Sequence, residues 1–364
     1  MIEEKIERLQ QWANSKQAPP LTMELNITNK CNLQCLSCWQ RSAQVASSEL
    51  SDERWLEIVR QGIKLGVKEF RFPGSGEPLF RKELFCKLSE KIKKHNAYGL
   101  LITNGTMLDE NIAKKMVVIG WDNVTISIDG PDAKANDYLR GAPGTFEKSV
   151  RAAILLNKWK IKLGKKLPDI RLNVVLSNKN YDKLDKMMQL AHRLKCSAVS
   201  VQPMTVFSQL GENLKLNSTQ LKKLPGHIRK AKDAASKYEI HTNLENIANT
   251  NVVEHANKMD KIIDEEIKKS GNYFLSAACF EPWYNVVVMP NGGVGPCSVF
   301  GGEGGADISK TSLEEIWYGD YFQVIRQMLL SKKLFSHCSN CCVVVFEENK
   351  RLRNELKRNG EKRN

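Results

Sequence analysis

Three cysteines near the N-terminus have a spacing that suits iron–sulfur chemistry. Cys31, Cys35 and Cys38 follow an apolar, strand-like run and are separated by three and two residues. Cysteine thiolates are the usual ligands of iron–sulfur clusters. Three of them on one tight loop can bind three irons of a cubic cluster and leave the fourth iron open. A zinc site, which normally takes four ligands, and a group of buried apolar thiols are the alternatives.

This stretch resembles the cluster-binding loop of the radical S-adenosylmethionine (radical SAM) enzymes. In that family the cofactor chelates the open iron and is cleaved to a 5'-deoxyadenosyl radical. The resemblance implies a 4Fe-4S cluster on the three cysteines and S-adenosyl-L-methionine as cofactor. Many members have an aromatic residue directly before the third cysteine, whereas this chain has Ser37 there and Trp39 just after that cysteine. The residue that packs on the adenine is therefore not assigned.

Further segments resemble the cofactor-binding elements of the same family. The turn around Glu77 is similar to the family's Gly-Gly-Glu-Pro element, with Ser75 in place of the first glycine. The family uses this element to bind the amino group of the cofactor, and an arginine in a segment like that of Arg140 to pair with its carboxylate. For Arg140 an exposed loop arginine is the alternative. The resemblance implies these cofactor-binding residues: Ser75, Gly76, Glu77, Asn104, Ser127 and Arg140.

Four cysteines in the C-terminal part suit a second site: Cys279, Cys297, Cys338 and Cys341. The first two flank a hairpin-like run and the last two are separated by two residues, which gives four ligands. The arrangement resembles the SPASM/twitch auxiliary-cluster domains of the radical SAM family, in the short twitch form. It implies an auxiliary 4Fe-4S cluster with four cysteine ligands. A four-cysteine zinc site is the alternative, and Cys342 can replace Cys341 as a ligand.

The segments that carry the first motifs alternate between strand-like and amphipathic helix-like patterns. Six alternations predict an α/β fold: a parallel sheet curled into a partial (βα)6 TIM-like barrel, with its site at the C-terminal ends of the strands. A small C-terminal twitch domain, a β-hairpin plus a helix predicted over 312–330, follows the barrel. The predicted strands cover 22–28, 67–74, 98–104, 123–129, 169–177 and 198–204.

Several of these strands alternate apolar and polar residues, although parallel strands covered on both faces are usually continuously apolar. We expect the apolar face to meet the outer helices and the polar face to line a cavity for a polar ligand. A half-exposed antiparallel sheet is the alternative. The candidate substrate-binding residues on the polar face are Glu24, Asn26, Asn173 and Gln202.

Composition limits the compartment and the partners. The chain has 364 residues, ten cysteines and a formal net charge of +14. It shows no export signal and no apolar stretch long enough to span a bilayer, so we expect a cytoplasmic protein whose thiols bind metal. The lysines are scattered over helices without interleaved aromatic residues, so we expect neither nucleic acid nor membrane as a partner. The charge suits an acidic electron donor such as flavodoxin or ferredoxin.

The expected domains are an N-terminal helix (1–21), the radical SAM partial barrel (22–206), a helical connector (207–275), the SPASM/twitch domain (276–345) and a basic tail (346–364). The tail is expected to be a solvated helix or frayed end without a further role. A glycine-rich run at 301–305 does not open a strand-to-helix turn, so it is expected to be a flexible loop.

Twitch-type members include dehydrogenases and other enzymes that act on aminocyclitols and sugars. The resemblance therefore implies a radical SAM oxidoreductase that abstracts a hydrogen atom from a small polar substrate of this kind and oxidises it. About twenty residues before Thr22 are too few for a separate leader-peptide-binding domain. A peptide- or protein-modifying maturase is therefore the second interpretation, and a radical epimerase with Cys342 as hydrogen donor is another. An iron–sulfur electron carrier, the non-enzymatic alternative, has no use for an open-iron loop beside a cofactor-shaped turn.

Overall fold

The computed structural model of the chain describes residues 2–41, 48–248, 253–254, 256, 258–268, 274–300 and 305–361. The strands are β1 (Thr22–Leu25), β2 (Glu69–Phe72), β3 (Tyr98–Thr103), β4 (Asn123–Ser127), β5 (Asp169–Leu176), β6 (Ala198–Pro203), β7 (His241–Thr242), β8 (Asn285–Val288), β9 (Gly293–Gly295) and β10 (Ala306–Asp307). The α-helices are α1 (Ile2–Ala13), α2 (Asp52–Leu65), α3 (Lys82–Lys94), α4 (Glu110–Ile119), α5 (Ala133–Arg140), α6 (Thr145–Leu163), α7 (Leu184–Arg193), α8 (Gln209–Glu212), α9 (Ser218–Lys237), α10 (Leu244–Ala248), α11 (Met259–Ile267), α12 (Leu313–Tyr318), α13 (Asp320–Leu330) and α14 (Val343–Glu361).

The described residues fall into two compact units. The first unit takes its residues from Met1–Ile27, Ala46–Arg71 and Asn257–Asn364, and the second from Thr28–Val45 and Phe72–Ala256. No helix in the described part of the chain is long and apolar enough to cross a membrane. Most of the glycine-rich run, residues 301–304, lies outside the described residues. The predicted domain boundaries stay a prediction.

In the first unit, five strands that pair in parallel or antiparallel follow the order β10-β9-β8-β1-β2 in the sheet. β1 pairs in parallel with β2 on one side and with β8 on the other, so that Thr22 lies opposite both Glu69 and Asn285. β8 and β9 form the predicted antiparallel hairpin, and β10 adds to it antiparallel. The hairpin places Cys297 two residues after β9.

In the second unit, the strands follow the order β3-β4-β5-β6-β7 and every neighbouring pair is parallel. The sequence-based prediction of an alternating α/β fold with a parallel sheet is therefore confirmed, and the antiparallel alternative does not hold for these strands. β7 was not predicted, because two residues within a lysine-rich helical stretch are too short to show a strand period.

The alternation along the strands appears as an alternation in burial. On β5, Leu172, Val174 and Leu176 are buried, whereas Asn173 between them is half-buried. On β6, Gln202 is likewise half-buried beside a buried Val201. One face of β5 and one face of β6 therefore pack into the core, as the pattern predicts, whereas all five residues of β4 are buried.

Helix ends follow from capping residues. α2 begins after Ser51, whose hydroxyl accepts a hydrogen bond from the backbone N–H of Arg54 at 3.2 Å, and it ends at Gly66 in the left-handed conformation. α4 begins after Asp109 in the same way and also ends at a left-handed glycine, Gly120. Such caps satisfy backbone groups that the helix itself leaves unpaired.

The single helix predicted over 312–330 is wrong, because α12 and α13 are separate helices. Gly319 lies between them with an extended backbone, at φ −77° and ψ 179°. A β-carbon at Gly319 would lie 2.3 Å from the carbonyl oxygen of Glu315. Glycine has a low helix propensity and permits this close approach, which ends the first helix.

The expectation of a solvated or frayed tail after residue 346 is also wrong for the described part of the segment. α14 runs to Glu361 and has a buried face that includes Asn349, Leu352, Arg353 and Leu356. These positions lie three or four residues apart and share one side of the helix. The high charge of the segment concealed this stripe, since two of its four members are themselves polar.

Candidate cofactor and iron–sulfur sites

The loop with Cys31, Cys35 and Cys38 follows β1 and is held by backbone hydrogen bonds from two sides. The N–H of Glu77 donates to the carbonyl oxygen of Lys30 at 2.9 Å. The N–H of Leu36, inside the loop, donates to the carbonyl oxygen at position 139, in the last turn of α5, also at 2.9 Å. The thiol of Cys31 is exposed, and those of Cys35 and Cys38 are half-buried. The loop is therefore supported while its thiols stay accessible.

Two glycines allow this close support. A β-carbon at Gly76 would lie 2.4 Å from the carbonyl oxygen of Lys30, and one at Gly141 would lie 2.3 Å from that of Gln34. Gly141 also ends α5 with φ +68°, a conformation that residues with a β-carbon rarely adopt. The backbone on each side therefore packs directly on the cysteine loop, with no room for a side chain.

Asn32 anchors the loop to the end of β3. Its side-chain oxygen accepts from Asn104 Nδ2 at 3.0 Å, and its Nδ2 donates to Thr106 Oγ1 at 2.8 Å. The side-chain oxygen of Asn104 in turn accepts from the N–H of Thr106 at 2.8 Å. Asn104, predicted from the resemblance, is thus brought against the loop, whereas Asn32 and Thr106 were not singled out by the sequence.

The carboxylate of Glu77 is buried and accepts three hydrogen bonds. The donors are Thr103 Oγ1 at 2.7 Å, Asn104 N–H at 2.8 Å and Leu79 N–H at 3.1 Å. Burial raises the pKa of Glu77, and these hydrogen bonds oppose the shift. A carboxylate has about four acceptor positions, so about one remains for a further donor such as an ammonium group.

Arg140, at the end of α5, points its guanidinium at the cysteine loop. Its Nη1 donates to Cys35 Sγ at 3.9 Å, and its Nε lies 2.9 Å from Asp129 Oδ2. The geometry of that ion pair is not that of a hydrogen bond, and buried Nε and Nη2 have no hydrogen-bond partner among the described residues. Arg140 is 8% exposed, so the alternative of an exposed loop arginine is excluded.

Two buried asparagines that the sequence did not indicate hold Asp129 in place. Asn136 Oδ1 accepts from the N–H of Asp129 at 2.9 Å, and Asn180 Nδ2 donates to the carbonyl oxygen of Asp129 at 2.7 Å. Asp129 Oδ1 accepts from the N–H of Val175 at 2.8 Å. Ser127, two residues earlier, is buried at the end of β4. The ends of β4 and β5 thus fix the carboxylate that faces Arg140.

The four C-terminal cysteines lie in the first unit, and several of them shift the pKa of another cysteine of the group. Burial raises the pKa of the Cys279 thiol well above its usual value, and Glu281, Cys341 and Cys297 raise it further. Burial has the same effect on the pKa of Cys341, and Cys297, Cys342, Cys338 and Glu281 raise it further. The N–H of Glu281 donates to Cys279 Sγ at 3.5 Å.

Among the described residues no three His, Cys, Asp or Glu side chains are arranged to hold a metal ion. The thiolates of a cubic cluster bind four separate irons, which is a different arrangement.

Cys342 directly precedes α14. Burial raises the pKa of its thiol, and the backbone N–H groups of Val344 and Val345, in the first turn of α14, lower it. The charged neighbours that affect it are Glu24 and Glu281. Glu281 also raises the pKa of Cys341, so the two adjacent thiols share this neighbour.

The predicted substrate residues occur in both units. In the first unit, Ser298 Oγ donates to Glu24 Oε2, Arg71 Nη1 lies 3.8 Å from Glu24 Oε1, and buried Asn26 donates to Met289 Sδ at 3.7 Å. In the second unit, Asn173 and Gln202 are half-buried on β5 and β6.

Comparison with known proteins identifies the class. Residues 25–194 match the sequence model of the radical SAM superfamily, and residues 279–342 match that of SPASM, an iron-sulfur cluster-binding domain. The chain belongs to the radical SAM superfamily and carries a C-terminal SPASM/twitch-type iron–sulfur domain. These two domains imply a 4Fe-4S cluster, an auxiliary cluster and S-adenosyl-L-methionine as the cofactors, as the cysteine patterns predict.

The matches to individual relatives cover only part of this chain and part of each relative. The PqqA peptide cyclase of Granulibacter bethesdensis is 28% identical over 50% of this chain and 47% of that protein. A probable GTP 3',8-cyclase of Methanosarcina mazei is 32% identical over 48% of this chain and 51% of that protein. The chain thus spans about half the length of these relatives. The structure of Streptococcus suis SuiB bound to precursor peptide SuiA matches 87% of this chain and 69% of its own with a TM-score of 0.62 at 18% identity, which shows a shared fold.

The residues of the cysteine loop fit the implied cofactor. The unpartnered nitrogens of Arg140 beside Cys35 suit a carboxylate, which is the preferred partner of a guanidinium. The remaining acceptor position of Glu77 suits an amino group. Cysteine thiols, with no histidine in either group, are the donor set of iron–sulfur clusters.

Proposed function

We propose that the protein is a radical SAM maturase that abstracts a hydrogen atom from a peptide. The observation that carries the radical chemistry is the buried guanidinium of Arg140, which contacts Cys35 and keeps two nitrogens without a hydrogen-bond partner in the described chain. An anionic group chelated at the cysteine loop would complete it. The peptide substrate is supported by the similarity to a PqqA peptide cyclase and, for the fold, to SuiB.

In this proposal each group of residues has a separate task. Cys31, Cys35 and Cys38 hold the first cluster, which with S-adenosylmethionine supplies the 5'-deoxyadenosyl radical when both are bound. Arg140 pairs with the cofactor carboxylate, and Glu77 accepts from its amino group. The other positions assigned to cofactor binding are Ser75, Gly76, Asn104 and Ser127.

Cys279, Cys297, Cys338 and Cys341 are the proposed ligands of the auxiliary cluster. Cys341 is favoured over Cys342 because Cys297 and Cys338 are among the groups that raise the pKa of Cys341, and Cys341 in turn raises the pKa of Cys279. A fully ligated cluster can accept the electron that completes an oxidation. Cys342 remains a candidate hydrogen donor, which would make the net reaction an epimerisation.

The polar strand residues Glu24, Asn26, Asn173 and Gln202 are the proposed substrate contacts. We further propose that the enzyme works in the cytoplasm and takes its electron from an acidic donor such as flavodoxin or ferredoxin, which suits the net charge of +14.

A small polar substrate is the second candidate. The similarity to a probable GTP 3',8-cyclase favours it, since GTP, from which that relative takes its name, is a nucleotide. The half-buried polar groups on β5 and β6 suit either kind of substrate.

Product analysis separates the two candidates. The anaerobically reconstituted protein is given S-adenosylmethionine, a strong reductant and, in parallel, short peptides encoded beside its gene or GTP. We expect deoxyadenosine formation to rise with a peptide and the mass of that peptide to change. A change confined to GTP would contradict the peptide proposal and leave the radical chemistry intact.

A further inference from the structure

The C-terminal helix α14 begins directly after Cys342 and lies beyond the residues 279–342 that match the SPASM model. Two polar side chains on it are nevertheless almost fully buried. Asn349 is 5% exposed and Arg353 is 2% exposed. Burying polar groups costs free energy unless they are hydrogen-bonded, so their partners indicate what the helix holds.

Asn349 holds the backbone next to Cys279. Its Oδ1 accepts from the N–H of Phe280 at 2.5 Å, and its Nδ2 donates to the carbonyl oxygen of Val345, one turn earlier, at 2.8 Å. The side-chain amide is thus fixed at both ends. The next backbone N–H, that of Glu281, donates to Cys279 Sγ. Orienting the Phe280 amide therefore also orients the segment that supplies this N–H···S bond.

Arg353 holds the same segment from the other side of Cys279. Its Nε donates to the carbonyl oxygen of Leu275 and its Nη2 to that of Ala277, both at 2.8 Å. Its guanidinium carbon lies 5.1 Å from the centre of the Phe280 ring. A planar guanidinium with fixed donors can bind two carbonyl groups at once, which lysine cannot imitate.

We infer that α14 is part of the auxiliary cluster site, with Asn349 and Arg353 as positioning residues for Cys279. Cys341 and Cys342 precede the first turn of this helix, and its second and third turns hold the segment of Cys279. One helix therefore fixes the first and last cysteines of the group relative to each other. This inference rests on the proposed ligand role of Cys279 and Cys341. Partners around the ligands of a metal site typically change metal affinity by about 10- to 100-fold.

The test uses the full chain with Cys31, Cys35 and Cys38 replaced by alanine, so that bound iron reports the auxiliary site. Asn349→Ala and Arg353→Lys are compared with Asn354→Ala and Arg351→Lys, which change exposed residues on the same helix. Asn349→Asp keeps an acceptor for the N–H of Phe280. The readouts are iron and sulfide per chain, resistance of the iron to a chelator, and the midpoint potential of the cluster.

We expect Asn349→Ala and Arg353→Lys to lower the retention of the cluster by about 10- to 100-fold. The potential of the remaining cluster should fall, because a weaker N–H···S bond stabilises the reduced state less. Both exposed variants should behave as the parent does, and Asn349→Asp, which keeps the acceptor for the N–H of Phe280 but loses the donor to Val345, should lie between the parent and Asn349→Ala. Retention and potential equal to the parent in both Asn349→Ala and Arg353→Lys would overturn the inference. A parent that binds no cluster would instead refute the proposed ligand role.

Discussion

Arg140 has a charge that the described chain pairs only in part. Its Nε is 2.9 Å from Asp129 Oδ2, yet Nη2 is buried without a hydrogen-bond partner in the described residues. An unsatisfied buried donor costs about 1–3 kcal/mol. A carboxylate bound beside Cys35 removes this cost and gains a charge-assisted hydrogen bond. The residue is therefore suited to ligand binding more than to stability of the free protein.

Replacing Arg140 should weaken cofactor binding. A hydrogen bond to a charged group contributes about 1.5–3 kcal/mol, so Arg140→Ala should raise the KM for S-adenosylmethionine by roughly 10- to 150-fold. Arg140→Lys keeps the charge but loses the planar guanidinium, so its KM should lie between those of the wild type and Arg140→Ala. Deoxyadenosine formation at varied cofactor concentration measures this, with exposed Arg193→Ala as the control. Equal KM values in all variants would exclude Arg140 as a cofactor ligand.

Asn180 should act on the cofactor through Asp129. Its amide donates to the carbonyl oxygens of Asp129 and Val175, and its oxygen accepts from the N–H of Ser177. Asn180→Ala should destabilise the fold by about 1–3 kcal/mol and also raise the KM for S-adenosylmethionine. Asn157→Ala is the matched control, because Asn157, on α6, likewise donates to two carbonyl oxygens, those of Ala153 and Leu194.

Thermal unfolding and KM measurements on both variants separate the two effects. If the two variants lose the same stability and Asn180→Ala leaves the KM for S-adenosylmethionine unchanged, this asparagine has a structural role alone.

At the scale of elements, the sequence predicts the strands well and their ends less well. Alternation and flanking helices locate β1 to β6, but the pattern over 22–28 continues past Leu25, where β1 ends. The backbone continues to pair beyond the end of β1, since the N–H of Asn26 donates to the carbonyl oxygen of Val288. This pairing is consistent with the strand-like composition of residues 26–28. The buried side of α14 escaped because it depends on tertiary contacts, and the break at Gly319 escaped because a single glycine within a helical pattern does not always end a helix.

Gly141 offers a test of how α5 supports the cysteine loop. Gly141→Ala adds a β-carbon that would meet the carbonyl oxygen of Gln34 at 2.3 Å, so the loop has to move. Gly120→Ala is a close match, since Gly120 also ends a helix at positive φ but has open space around it. Both changes should cost about 1–2 kcal/mol from the left-handed backbone.

Only Gly141→Ala should also lower the iron content of the first site and the rate of cofactor cleavage. Iron analysis of the two purified variants decides this. If both variants keep the same iron and the same rate, the contact with Gln34 is not needed to hold the loop.

At the scale of the whole molecule, cysteine spacing predicts both iron–sulfur sites, and the SPASM/twitch interpretation is confirmed by the match over 279–342. Ligand spacing is local in sequence, so short motifs carry it. The substrate cannot be predicted from short motifs in this way, because Glu24 and Gln202 are far apart in sequence and their side-chain types suit many ligands. The first preference for a small sugar-like substrate came from the resemblance to twitch-type members, and the similarity to a PqqA peptide cyclase favours a peptide instead.

The most direct test measures deoxyadenosine formed from S-adenosylmethionine under anaerobic reduction by the reconstituted protein and by its variant with Cys31, Cys35 and Cys38 replaced by alanine. We predict product from the wild-type chain and none from the variant. The variant should still hold about four irons, from the auxiliary site. Deoxyadenosine from the variant at the wild-type rate would contradict the assignment of the cysteine loop as the site of radical chemistry.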